Sequence, residues 1–164
     1  MSTRKLTLSA LLIALGTLLA HVIYIPVGVS KCFPIQHTIN VLSGVLLGPG
    51  YALANAFIIS LLRNILGTGS LLAFPGSIFG AFLAGLLFRK SKKYYLAVLG
   101  EVFGTGILGG IACYPIAKFV LGQEVAVFFF VLPFLVSTAG GSIIGYSLLK
   151  IIDRIPLLKK LIAK

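Results

Sequence analysis

The sequence predicts an all-α integral membrane protein of six transmembrane helices, with both termini in the cytoplasm. Three observations lead there. The first is composition: of 164 residues, 59% are hydrophobic and only 10% are charged, and mean hydropathy is +1.10. Ordinary soluble domains carry roughly 25% charged residues. The second is the form of the apolar runs, which are long and continuous rather than alternating. That pattern points to helices and away from a β-barrel. At about 20 residues per span the chain has room for five or six helices, in one transmembrane domain over residues 1–164. The third is where the cations fall. Net charge is +11, with three acids, Glu101, Glu124 and Asp153. The basic residues stand at the ends of apolar runs, where they act as topology signals, so nucleic acid is not the implied partner.

The first helix is expected over about 6–24. Arg4 and Lys5 before an apolar run look like the start of a signal peptide. The run continues to Ile25 with no clear small-residue cleavage site, so it reads as a retained span. Ala10 and Ala14, and Gly16 and Ala20, are four apart; each pair shares a helix face that permits close approach. Pro26 and Pro34 bracket a loop. A second helix over about 35–47 opens with Gln36, His37 and Asn40. His37 and Asn40 are three apart and share a face. They suit either the polar rim of a pocket or a helix end in water. His37 has no second ligand at metal-site spacing.

Gly48-Pro49-Gly50 is a tight turn into a third helix over about 51–66. This opens the most informative stretch, residues 44–80, GVLLGPGYALANAFIISLLRNILGTGSLLAFPGSIFGA. It is almost wholly apolar yet holds Arg63, Asn55, Asn64 and the Gly-rich break at 67–77. Loosened backbone at membrane depth needs a protein environment or a cavity to satisfy it. A charge there needs a partner or a polar pocket. The stretch therefore reads as the wall of a site. GTGS is not a phosphate loop, because no G-x-x-x-x-G-K-[ST] occurs anywhere in the chain.

A fourth helix runs to about Phe88, with Pro75 and Gly76 near its start and a small stripe at Gly76, Gly80 and Ala84. Residues 89–93, RKSKK, form the strongest topology marker. The fifth helix, about 94–119, carries Glu101, Thr105 and five glycines between 100 and 110. At 100° per residue Glu101, Gly104, Thr105, Leu108 and Ala112 line one face. A sixth helix is expected over about 125–152, followed by a basic tail. Arg4, Lys5, the 89–93 cluster, Lys150, Arg154, Lys159, Lys160 and Lys164 fall on one side; Lys31 and Lys118 fall on the other. By the positive-inside rule the first side is cytoplasmic, leaving loops 26–34, 67–73 and 120–124 external.

Arg63 and Glu101 are the charges inside spans, at ~18 Å and ~10 Å from the cytoplasmic ends of their helices. They can form a buried ion pair, or one or both can face a ligand. Glu101 can also carry a proton, although a relay generally uses more than one acid. Apolar walls, few polar groups and aromatic residues at Phe33, Phe74, Tyr114 and Phe134 describe a small-molecule pocket. No nucleophile–base pair or paired carboxylates point to an enzyme. Cys32 and Cys113 read as small buried hydrophobes.

Three runs, GVLLGPGYALANAF, LLRNILGTGSLLAFPGSIFGA and EVFGTGI with Tyr114-Pro115, resemble the ThiW family. Its members are substrate-binding S components of energy-coupling factor (ECF) vitamin transporters. The likeness extends over nearly the whole chain. It implies a six-helix bundle with an external pocket built by helices 4–6 and capped by the loop after helix 1. It implies a transmembrane T component and two ATPase subunits as partners, with ATP used by those subunits and no cofactor in this chain. The implied cargo is hydroxyethylthiazole, a thiamine precursor. Ala10 and Ala14 match the family's Ala-x-x-x-Ala contact with the T component. The residues expected to line the pocket are Glu101, Thr105, Ser137, Thr138, Phe74 and Ser77, with His37 and Asn40 beneath the cap and Arg63 nearby. The alternative is a stand-alone proton-coupled permease using Glu101. A membrane enzyme or structural partner is third.

Overall fold

The computed structural model describes residues 3–27 and 30–156. Six helices account for most of them. Helix α1 spans Thr3–Val22. Strands β1 (Ile25–Val27) and β2 (Ser30–Cys32) form a small antiparallel hairpin, pairing Ile25 with Cys32 and Val27 with Ser30. Helices α2 (Pro34–Leu46) and α3 (Pro49–Ile65) follow. A single 3-10 turn, Leu71–Ala73, leads into α4 (Pro75–Ser91). The last two helices are α5 (Tyr94–Val120) and α6 (Val131–Arg154). The stretches Thr3–Ala20, Leu71–Ser91, Tyr94–Val120 and Val131–Arg154 are each long and apolar enough to cross a membrane.

Proline sets three of the starts. Pro34, Pro49 and Pro75 each occupy the first turn of their helices, where the missing N–H is no loss and the fixed φ already suits a helix. Helix α4 stops at Lys92, whose left-handed backbone (φ 59°) turns its N–H onto the Phe88 carbonyl. Two expectations need correction here. The loop after α1 contains a hairpin, and the last helix begins at Val131 rather than near Val125. A helix starting at 125 would carry Pro133 in its interior, costing a hydrogen bond and clashing with the preceding turn. Starting at Val131 puts Pro133 in the first turn. The basic-tail residues Lys159, Lys160 and Lys164 lie outside the described residues.

Helix α2 is the axis of the bundle. It packs against α1, α3, α4, α5 and α6, and 11 of its 13 residues are buried. At ~20 Å it is shorter than the ~30 Å hydrocarbon core. Its interior position explains its composition. One half carries Ile39, Val41, Leu42 and Val45 into an apolar core with Leu12, Ile59, Phe88 and Leu149. The other half carries Gln36, His37, Thr38 and Asn40, all buried. The water-exposed reading of His37 and Asn40 is therefore wrong for this structure. Each of these polar side chains makes a hydrogen bond to another helix; in the same way Ser43 accepts from Asn55 of α3, and Thr38 donates to the Gly141 carbonyl of α6.

Small residues set the spacing of α4 and α5. A Cβ on Gly104 would lie 2.7 Å from the Gly80 Cα, and one on Gly80 would strike the Glu101 and Thr105 side chains. The stripe at Gly76, Gly80 and Ala84 thus packs internally, and all three residues are buried. Helix α5 is wound wider than an α-helix over Val102–Gly109 and again over Ile116–Val120, with i→i+5 bonding. This rephases its faces. Glu101, Gly104 and Thr105 stay buried, but Leu108 turns outward and Gly109, Gly110 and Cys113 take the inner face. On α1 the two small pairs separate. Gly16 abuts Ile59 and Ile39, and Ala20 is buried, whereas Ala10 and Ala14 are exposed.

Candidate functional site

The two ends of the bundle differ. At one end Lys5, Arg89 and Lys92 gather around residues 44–51. At the other lies a cavity of about 400 Å³, within the usual range for small-ligand pockets. The hairpin side supplies Tyr24 and Phe33 to its wall. The start of α2 supplies Gln36 and His37, and the end of α3 supplies Arg63. The segment from Gly67 to Ala73 closes another side, and Phe130, just ahead of α6, completes it with Phe134 and Ser137 of α6.

The cap is tied down. The backbone N–H of Phe33 donates to Ser137 Oγ at 2.8 Å, and Cys32 Sγ lies 3.2 Å from the Pro133 carbonyl. Cys32 and Cys113 are both free and buried, as small hydrophobes would be. The loop at 67–70 is held by α3: the N–H groups of Thr68 and Gly69 both donate to the Arg63 carbonyl, and Asn64 Nδ2 donates to the Ser70 carbonyl. Gly67 takes φ 69°, a conformation that glycine adopts without strain. The Gly-rich break is thus ordered backbone wrapped over the end of its own helix.

Arg63 is 1% exposed. It donates to Gln36 Oε1 and, at 3.0 Å, to the Thr68 carbonyl. Its guanidinium carbon sits 4.1 Å over the Phe33 ring, a cation–π distance. It does not meet Glu101. The Arg63–Glu101 ion pair anticipated from depth alone is absent, because α2 stands between the two and supplies each with a different partner.

Glu101 is fully buried. Its Oε1 faces His37 Nδ1 at 2.9 Å, Asn40 Nδ2 at 3.0 Å and Thr105 Oγ1 at 3.0 Å. Its Oε2 is buried without a partner. The i, i+3 pair on α2 and the i, i+4 pair on α5 therefore converge on one oxygen. His37 is the contact between this cluster and the cavity: it lines the wall and holds the carboxyl behind it.

The nine residues expected to bind ligand thus fall into three groups. His37, Arg63 and Ser137 line the cavity. Glu101, Asn40 and Thr105 form the polar cluster behind His37. Ser77, Thr138 and Phe74 lie elsewhere. Ser77 Oγ donates to the Ala73 carbonyl and contacts Ser60. Thr138 is fully buried, and Phe74 packs on Phe57 at 5.4 Å. Of the aromatic residues, Phe33 and Phe134 are in the wall; Tyr114 is not, and its hydroxyl accepts from Lys118. Gln36 and Phe130 are the main additions. Gln36 adjoins His37 in sequence and was legible as polar at a helix start. Phe130 lies in the segment mistaken for helix.

A family model for the thiamine-precursor transporter protein ThiW matches residues 6–155. No curated protein and no solved structure matched the chain. The match takes in all six helices from the second turn of α1 to the end of α6, with every residue of the cavity wall. The chain belongs to the ThiW family of thiamine-precursor transporter proteins.

Proposed function

We propose that this chain is the substrate-binding S component of an ECF transporter and that it binds hydroxyethylthiazole for import. The observation that carries this reading is the cavity: about 400 Å³, walled by Tyr24, Phe33, Phe130 and Phe134, with a short polar edge of Gln36, His37, Arg63 and Ser137. A flat heterocycle needs aromatic faces and one or two hydrogen bonds, and this wall supplies both. The chain has no phosphate loop, so energy must come from elsewhere. In this reading a T component and two ATPase subunits supply it, consuming ATP, and the chain itself needs no cofactor. Six spans form one transmembrane unit in the cell membrane. The basic end and both termini face the cytoplasm, and the cavity faces out.

Ala10 and Ala14 support the partner assignment. They are exposed on α1, on a face that the other helices leave uncovered. Small residues there let a partner helix approach closely. The permease alternative has one observation behind it, the buried His37–Glu101 contact. Against it, Glu101 does not line the cavity, and no second acid stands inside the bundle to continue a relay.

The test is binding by the purified chain, read as thermal stabilisation with hydroxyethylthiazole, thiamine and related pyrimidines. A ligand that binds the folded state alone raises apparent stability by mass action. Selective stabilisation by thiazole compounds, together with co-purification of ATPase subunits, is the expected result. Uptake abolished by a proton uncoupler in cells lacking those ATPases would instead establish the permease.

A further inference from the structure

We infer that the cavity prefers an anionic ligand: a small aromatic heterocycle bearing a carboxylate, with Arg63 as its counter-charge. The inference rests on reading the cavity as the precursor site, and it names the charge of what enters. Arg63 is 1% exposed and lines the wall. All its contacts are neutral: the Gln36 side-chain oxygen, the Thr68 carbonyl and the Phe33 ring. Its Nε has no acceptor. Among the described residues, no carboxylate lies within ion-pair distance of it. Glu101 is turned to His37, and Glu124, at the same end of the bundle, is exposed and outside the wall. A buried cation without a counter-ion is costly, and a bound anion removes that cost.

The hydrogen-bonding inventory points the same way. Gln36 is engaged at both ends, its oxygen accepting from Arg63 and its amide donating to Ser60. Ser137 accepts from the Phe33 N–H, which leaves its own O–H to donate. The wall beside Arg63 therefore offers the Ser137 O–H as a donor, while the Gln36 oxygen is already taken by Arg63. A carboxylate is acceptor-only and matches this. One guanidinium also balances one negative charge, which favours a carboxylate over a doubly charged phosphate. The Glu101 carboxyl does not oppose this, because His37 stands between it and the cavity.

The experiment compares two ligands of one heterocycle and nearly equal size on the purified chain in detergent: 4-methyl-5-(2-hydroxyethyl)thiazole and 4-methylthiazole-5-acetate. The carboxylate is expected to bind at least about tenfold more tightly, as charge-assisted bonds require. That preference should collapse in Arg63→Gln and survive in part in Arg63→Lys. The wild-type comparison decides the matter even if Arg63→Gln does not fold. Equal or tighter binding of the alcohol overturns the inference and leaves the thiazole-precursor reading standing. Failure of folded protein to bind either ligand overturns both.

Discussion

Glu101 was recognisable in the sequence as an acid in the wrong solvent, but its partner was not. Depth along separate helices favoured Arg63, since both charges lie inside spans and a long side chain covers the difference. The packing chose His37, Asn40 and Thr105 instead. The spacing had half-revealed this: His37 and Asn40 share a face of α2, and Glu101 and Thr105 share a face of α5. What spacing could not say is that the two faces meet. A direct consequence follows for Glu101→Leu, which takes the shared acceptor from His37, Thr105 and Asn40 and leaves only Asn40 with another, the Ser77 carbonyl. At about 1–3 kcal/mol for each of the two orphaned groups, the loss in stability should exceed about 2 kcal/mol by equilibrium unfolding in detergent. Glu101→Gln keeps an acceptor oxygen and should lose less. A loss below about 1 kcal/mol for the leucine variant would mean that the cluster is not holding α2 to α5.

Helix starts were well predicted wherever proline marked them, because proline's constraint is local. The exception is α6, where Pro133 carried the same information but the apolar run ahead of it was read as helix. The small-residue stripes were legible as contact faces, yet each needed the fold to name its neighbour. Gly80 packs on α5, where an added methyl would strike Glu101 and Thr105. Gly80→Ala should therefore lower stability by about 1–3 kcal/mol, the usual cost of overpacking, and an unchanged melting temperature would count against so close a contact. Ala10 and Ala14 make the opposite case. Both are exposed, so Ala10→Leu with Ala14→Leu should leave melting and ligand binding unchanged. If this face meets a T component, transport is lost; normal transport would move the partner surface elsewhere.

At the scale of the molecule the asymmetry between ends is the main feature. One end is basic and lies over an apolar core; the other is aromatic and Gly-rich and holds the larger cavity of the two. Outward-facing Leu18, Phe103, Leu132 and Ile143, each more than half exposed, are the residues lipid would cover. A cysteine-labelling experiment checks the orientation. With Cys32 and Cys113 replaced, Ser70→Cys should react with an impermeant reagent from outside intact cells and Lys93→Cys only after permeabilisation. Ligand should slow labelling at position 70, which lines the cavity. The reverse sidedness would contradict the positive-inside assignment.

Composition and run length by themselves determined that this is a helical membrane protein, and the match of motif runs determined its family. These are statements about solvent and local backbone: how much of the chain can face water, where proline and glycine permit a start or a turn. Burial of α2 among the other five helices was decided only in three dimensions, because a helix that is polar on one half and short of the membrane thickness is tolerable only when other helices surround it. The same holds for the site. Sequence could name the polar residues inside the spans. Only the tertiary structure could sort them into a cation left facing a cavity and an acid held behind it through one oxygen by His37, Asn40 and Thr105, because that depends on which faces of α2, α3 and α5 are brought together.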